Sequence, residues 1–370
     1  MKVNIASLTH WGFNKKFKNQ NYYQRAYFGS RLANLLIFHR KDQKSNLEIV
    51  KRSKIIISIF KNKILHSIYL ILWISTKGKQ ENIDVLITEA SYLSLIGYFA
   101  KLFLETKWVV DLWDIPFRNL KLSFLSKSKR RLQLLFFRPL FKKADLFIVS
   151  ILPDFQLKEF KLPEQKMRCF TNAIFLDEYE NLPTVELFEE FTILIQRSQF
   201  YKGFGLNLIL QAFELVLKKI DAQLLIVGQI MPEAKILIDR FPLKERIIET
   251  DFVEHKEFKR LTLKSHVCAI PYPKIVDLQQ IYPIKAIEFM ALGKAIVYTG
   301  IEGLSRIIGE SGLVVKEITP QNIADKIIYL HDHPEKRIEL GKKAKERSKL
   351  FDAKVKNEKI FKEIQDLFEK

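Results

Sequence analysis

From residue 191 onward, short apolar runs alternate with segments of helical period. FTILIQRS (191–198), AQLLIVG (222–228), RIIETDFV (246–253), HVCAIPYP (266–273), KAIVYTG (294–300) and SGLVVKE (311–317) have the length and Ile/Val/Leu content of buried strands. Between them, GLNLILQAFELVLKKI (205–220), PEAKILIDRF (232–241), KEFKRLTLKS (256–265), PIKAIEFMALG (283–293) and LSRIIGE (304–310) carry helical spacing. Strands of this kind separated by helices predict βαβ units and a parallel sheet. Strands covered on both faces read as continuous apolar runs, as these do. The amino-terminal half repeats the pattern more faintly. It predicts strands in KVNIASL (2–8), VLITEA (85–90), KWVVDLW (107–113) and DLFIVS (145–150), and helices over 22–40 and 91–105.

The acidic, proline-containing stretch 177–190 has neither period and marks a boundary. The expectation is an α/β chain of two Rossmann-like, doubly wound parallel-sheet domains facing across a cleft. The domains are 1–180 and 181–351, with the charged helix of 352–370 able to rejoin the first. In such sheets ligands bind at the carboxyl ends of the strands, so chemistry is expected just after them.

The most apolar stretch, ILHSIYLILWIST (64–76), is 13 residues long. A membrane span needs about 20, so no transmembrane helix is expected. The opening MKVNIASLTH has one Lys and no long apolar run, and reads as a first strand rather than a signal peptide. Two cysteines, Cys169 and Cys268, build neither a disulfide framework nor a zinc site, which favours a reducing compartment.

Charge divides the halves more sharply than hydropathy does. Residues 1–180 hold 31 Lys and Arg against 15 Asp and Glu, a net of +16; residues 181–370 hold 30 against 27, a net of +3. A basic field confined to one half points to an anionic partner there, such as phosphates, a membrane surface or nucleic acid. KLSFLSKSKRRLQLLFFRPLFKK (121–143) interleaves Lys and Arg with Leu and Phe, a pattern that suits a membrane interface or, more plainly, a helix packing on its own domain.

Two segments carry candidate chemistry. In IQRSQFYKGFG (195–205), a strand ends and a helix begins across a turn holding Arg197, Lys202, Gly203 and Gly205. Unpaired N–H groups and the positive end of a helix dipole suit phosphate, and two cations beside them suit a diphosphate. In QQIYPIKAIEFMALGKAIV (279–297), Pro283 suits a first helical turn. Lys285 and Glu288 share one helix face. A cation in a first turn opposes the dipole and so suggests an anion nearby. A partly buried Glu288 needs hydrogen-bond partners, which a ribose diol would supply. The plainer readings are a solvated turn and a Lys285–Glu288 surface pair.

The order "RxxxxKGF", "IVG", "PxKxxEFMAxGKAIV" resembles the nucleotide-binding domain of the retaining glycosyltransferases of family 4, which have the GT-B fold. The likeness covers about residues 190–350. It implies that Arg197 and Lys202 hold the donor diphosphate and act catalytically on it. Glu288 would take the ribose hydroxyls, and Lys285 would assist with phosphate. Pro283 and Ile284, in the loop leading to that helix, would face the donor sugar or distal phosphate. Val253, in the segment 251–253, would lie where the base rests against backbone.

The resemblance further implies a hexosyl transferase drawing on a UDP- or GDP-sugar, with no metal and no other cofactor. The acceptor would be a lipid-linked or cell-envelope glycan. The enzyme would be cytoplasmic and peripheral at the inner face of the plasma membrane, in contact with anionic lipid. Nucleic acid is not expected as a partner. In VVDLWDIP (109–116), Trp113 stands where many relatives carry His, leaving Asp111 and Asp114 as acids at a strand end; Asp114 is the candidate to orient the acceptor hydroxyl. Asn172 matches the Asn of a segment before the hinge, and His10 lies in the first loop. Gln280 replaces the first of two glutamates usually eight positions apart, with Asp277 the nearest acid. These departures leave room for an inactive GT-B binding subunit. The basic half leaves room for a nucleic-acid-binding protein, and an epimerase of the same fold would need paired acids that are not evident.

Overall fold

The computed structural model describes residues 3–8, 20–40, 49, 51–112, 132, 135–150, 161–201, 205–274 and 282–369. The chain forms two compact units, Met1–Ala173 with Ala353–Lys370, and Ile174–Asp352. Residues 174–180, assigned from sequence to the first domain, thus belong to the second unit. Ile174 bridges Asp352 there, its N–H donating to the Phe351 carbonyl at 3.0 Å.

The first unit is built on a seven-stranded sheet: β1 (Asn4–Leu8), β2 (Asn34–Arg40), β3 (Ser53–Ser58), β4 (Val85–Glu89), β5 (Lys107–Leu112), β6 (Leu146–Val149) and β7 (Met167–Cys169). Their order is β3-β2-β1-β4-β5-β6-β7, and every pairing is parallel. Helices α1 (Asn21–Leu32), α2 (Lys63–Lys77) and α3 (Leu93–Leu104) serve as crossovers.

The helix expected over 22–40 is two elements. It stops at Leu32, Ala33 turns extended, and Asn34–Arg40 becomes β2 beside β1. A run such as LLIF is too short for period alone to tell buried strand from buried helix, and here pairing with β1 decides. One apolar cluster joins Leu36, Phe38 and Leu86 to Leu70, Trp73 and Ile96; another joins Trp108, Val110 and Phe147 to Phe137 and Phe141. Of the basic segment 121–143, only residue 132 and residues from 135 are described, and Leu132, Leu135 and Phe136 are exposed.

The second unit follows the sequence pattern closely. Its six-stranded sheet comprises β8 (Phe191–Phe200), β9 (Ala222–Ile230), β10 (Ile247–Thr250), β11 (Val267–Ile270), β12 (Ala295–Thr299) and β13 (Leu313–Val315). The order is β10-β9-β8-β11-β12-β13, again all parallel. Helices α4 (Leu206–Leu217), α5 (Pro232–Asp239), α6 (His255–Lys264), α7 (Ile284–Ala291), α8 (Glu302–Ile308), α9 (Pro320–Asp332) and α10 (Pro334–Ser348) pack around it. Helix α11 (Ala353–Gln365) returns to the first unit, against α1.

The second sheet's order reverses between β8 and β11. Parallel strands wound outward in both directions from such a point leave a crevice at their carboxyl ends, because successive crossovers leave on opposite faces.

Candidate functional site

Strand β8 carries Arg197 to that reversal. The β8–β9 register slips between Gln196 and Gln199, at Arg197–Ser198. Such irregularities re-aim side chains beside functional sites. Gly228 of β9 holds the strand end in place: it sits at φ +137°, and a Cβ there would lie 1.7 Å from the Arg197 carbonyl oxygen. Gly205, at φ +96°, is pressed equally close to the Pro271 carbonyl and serves as the N-cap of α4. Both positions need glycine, for conformation and for space.

Pairing of β8 with β11 runs only to Leu194–Cys268. Two residues further along β8, the Gln196 carbonyl accepts a hydrogen bond from Lys285 Nζ. Lys285 Nζ also lies 5.0 Å from the ring centre of Tyr272, two residues past β11, and the Arg197 guanidinium lies 6.0 Å from the same ring. Two cations therefore converge on one aromatic face at the strand ends, an arrangement that attracts each of them to the ring while they repel each other. Burial pushes the Lys285 ammonium below the usual lysine range; Arg197 acts in the same sense, and Tyr272 and Glu288 oppose it. Lysine in a first turn thus bonds the backbone across the crevice rather than forming the surface pair with Glu288.

The first turns of α4 and α7 have no acidic residue and no side-chain cap. The α7 turn begins at Pro283, which is buried, with Ile284 half-buried. Glu288, one turn on, is 8% exposed. Its Oε1 accepts from Tyr179 Oη at 2.8 Å and from His255 Nε2 at 2.9 Å; Tyr179 Oη and His255 Nε2 are 3.0 Å apart. A carboxylate held by two donors keeps its rotamer. Lys259 of α6 adds a third positive group, its Nζ 4.9 Å from the Tyr179 ring. Burial lowers its pKa, while Glu288 and Asp177 work against that. Val253 is half-buried just past β10, next to an exposed Phe252.

Of the residues named from sequence, Arg197, Pro283, Ile284, Lys285 and Glu288 line the carboxyl ends of β8 and β11 and the start of α7. Lys202, Gln280, Asp277, Trp113, Asp114 and His10 lie outside the described residues. Tyr272, Tyr179 and His255 were not singled out beforehand. Tyr272 had a signal in its place at the end of a predicted strand; Tyr179 is 109 positions from the Glu288 it contacts and had none.

Asp111, read as one of two acids at a strand end, is buried at the end of β5 instead of facing an acceptor. Arg25 Nε lies 3.2 Å from its Oδ2. Arg25 also donates to Asn357 Oδ1, and Lys356 of α11 donates to Asn21 Oδ1 at 2.8 Å. Glu89, at the end of β4, is Asp111's register neighbour. Burial raises the Asp111 pKa with Glu89 adding to it, against the pull of Arg25 and Lys356. Burial sends that of Lys356 well down, Arg25 adding and Asp111 opposing.

Part of the chain matches known proteins in sequence, and the whole of it matches them in fold. Residues 192–333, most of the second unit, match the family model described as Glycosyl transferases group 1. That segment, residues 192–333, is homologous to the group 1 glycosyltransferases. An uncharacterized glycosyltransferase of Methanocaldococcus jannaschii is 26% identical over 149 residues, so the match spans 40% of this chain and 40% of that one. Among solved structures, sucrose-phosphate synthase from Thermosynechococcus elongatus superposes with a TM-score of 0.72 at 16% identity, over 99% of each chain. HepE of Anabaena, solved in complex with UDP, gives 0.71 at 14% identity, over 99% of this chain and 100% of that one. The chain has the GT-B fold, with a Rossmann-like sheet in each unit.

Proposed function

We propose that this glycosyltransferase is a retaining hexosyltransferase. It moves a sugar from a UDP- or GDP-sugar to a lipid-linked or cell-envelope glycan, without a metal, at the inner face of the plasma membrane. The observation that carries the donor part is the convergence of Arg197 and Lys285 on Tyr272 between two helix N-termini at the reversal of the second sheet. A nucleoside diphosphate placed there meets two fixed cations and two helix dipoles, which favour charge developing on a departing phosphate. A fold neighbour solved with UDP supports this ligand class.

Arg197 and Lys202 stabilise the leaving diphosphate as the bond to the sugar carbon breaks. The acceptor oxygen forms its bond on the same face, and its proton passes to the leaving phosphate oxygen. Asp114 orients the acceptor hydroxyl. Glu288, held by Tyr179 and His255, takes the ribose diol. The basic first half suits an acceptor with anionic or lipid-linked character.

Thermal unfolding with UDP, GDP, ADP and CMP, each with and without EDTA, tests the reading. Ligand at about 100 times its dissociation constant adds roughly 2.7 kcal/mol to the folded state. One diphosphate should raise the midpoint by several degrees, unaffected by EDTA, and the shift should vanish in Arg197→Ala and Glu288→Ala. If no diphosphate acts and short DNA or RNA does, the chain is a nucleic-acid binder. If a diphosphate binds but no nucleotide sugar turns over, it is an inactive binding subunit.

A further inference from the structure

Helix α2 has a surface that its own unit leaves bare. Its inner side is well covered: Leu70, Trp73 and Ile74 are buried in the cluster with β1, β2 and α3. Its outer side should then carry charged residues, as a solvated helix face does. Instead, Ile64, Leu65, Ile68 and Leu72 lie within an arc of roughly 100°, and Ile64, Ile68 and Leu72 are 71%, 49% and 59% exposed. Only Ser75 and Thr76 add polarity near that arc, and no residue from 64 to 76 is charged. Ile57 and Ile59, at the end of β3 and just ahead of the helix, are exposed as well.

Cations bracket this apolar face. Lys61 precedes α2, Lys77 ends it and Lys79 follows, all exposed. Residues 49–79 hold seven Lys and Arg and not one Asp or Glu. A second copy of so basic a face would be repelled by the first. An anionic bilayer answers both features at once, since its acyl boundary takes the apolar arc and its headgroups take the lysines. Among the described residues no helix is long and apolar enough to cross a membrane, so α2 would lie in the interface plane rather than span it.

We infer that the outer face of α2, flanked by Lys61, Lys77 and Lys79, is a docking surface for an anionic lipid bilayer. It differs from the surface that the 121–143 segment suggested, and it supplies a contact for the peripheral placement proposed above. Its test is separate from sugar transfer, because vesicle binding needs neither donor nor acceptor.

The purified full chain is sedimented at low salt with vesicles of phosphatidylcholine alone and of phosphatidylcholine with phosphatidylglycerol. Binding is expected only to the anionic vesicles and should weaken as salt rises. Ile68→Glu with Leu72→Glu should lower that binding at least about tenfold. Replacing Lys61, Lys77 and Lys79 by Gln should do the same at about tenfold or more, at roughly 1 kcal/mol per cation. Both variants change exposed side chains, and a thermal unfolding midpoint near the parent's reports that each remains folded. The inference is overturned if the parent ignores anionic vesicles, binds neutral ones equally, or if both variants bind as the parent does. It is also overturned if the parent forms a dimer that the Glu variant abolishes while vesicles have no effect. Nucleotide-sugar turnover without vesicle binding would remove the docking surface alone.

Discussion

The two sheets share a parallel order that starts in the middle and winds outward both ways, yet their carboxyl ends carry polar groups of opposite kinds. In the second unit, Arg197 and Lys285 are half-buried around an aromatic ring, beside helix turns without side-chain caps. On the reading proposed above, these cations receive an anion from outside. In the first unit, Asp111, Glu89, Arg25 and Lys356 are all buried, and Asp111 faces Arg25 within the fold. On that reading, carboxyl strand ends in one shared topology serve as a ligand site in one unit and as an internal ionic anchor in the other. Deeper burial marks the anchor.

Breaking the anchor should have the largest effect. Removing one member of a buried ion pair strands the others in a low-dielectric interior and costs about 3–5 kcal/mol. Asp111→Ala should therefore lower hydrogen-exchange protection across β4, β5 and α11 while leaving the amides of β8 to β13 as they were. Equal loss in both units would erase the contrast drawn here.

A middle-sized effect sharpens the other side. Tyr179→Phe deletes one of the donors on Glu288 and, for a hydrogen bond to a charged group, should cost about 1.5–3 kcal/mol. UDP should bind roughly tenfold or more weakly if the freed carboxylate loses its orientation. An unchanged UDP affinity would make Tyr179 a purely structural partner.

The smallest expected effect is one of pH. His266 Nδ1 accepts the Thr192 N–H at 3.1 Å, which requires that nitrogen to be unprotonated. Burial, with Arg337 and Lys294 nearby, pushes its pKa down to about 4 from 6.5. The folded state then binds fewer protons than the unfolded one across that window. The stabilisation is full above about 6.5 and is lost as pH falls toward about 4. Allowing for solvent screening, it is on the order of 1 kcal/mol. The thermal midpoint of the second unit should fall with acid in that window, and His266→Gln should flatten the slope.

The second unit was legible from its sequence because each strand is a separate Ile/Val/Leu run and each helix carries its own period. The first was legible in part: four of its strands and the helix of 91–105 lie where expected, but YYQRAYFGSRL and NLLIFHR adjoin with one residue between them, and only long-range pairing with β1 makes the latter a strand. Arg197, Lys285 and Glu288 could be named because motif spacing is local. The partners Tyr179 and His255, and the link of Arg25 to Asn357 across 332 positions, arise from folding and leave no local trace.

Ile174 and Asp352 bridge each other, so the chain enters and leaves the second unit at a single point. That unit is an insertion within the first, and during synthesis residues 174–352 are complete before α11 has emerged. The amino-terminal sheet must wait for Lys356 and Asn357 before its ionic anchor can close, although its strands were made first. The order of translation is thus the reverse of the order of completion. A truncation beyond residue 352 would register as a defect at the opposite end of the sequence.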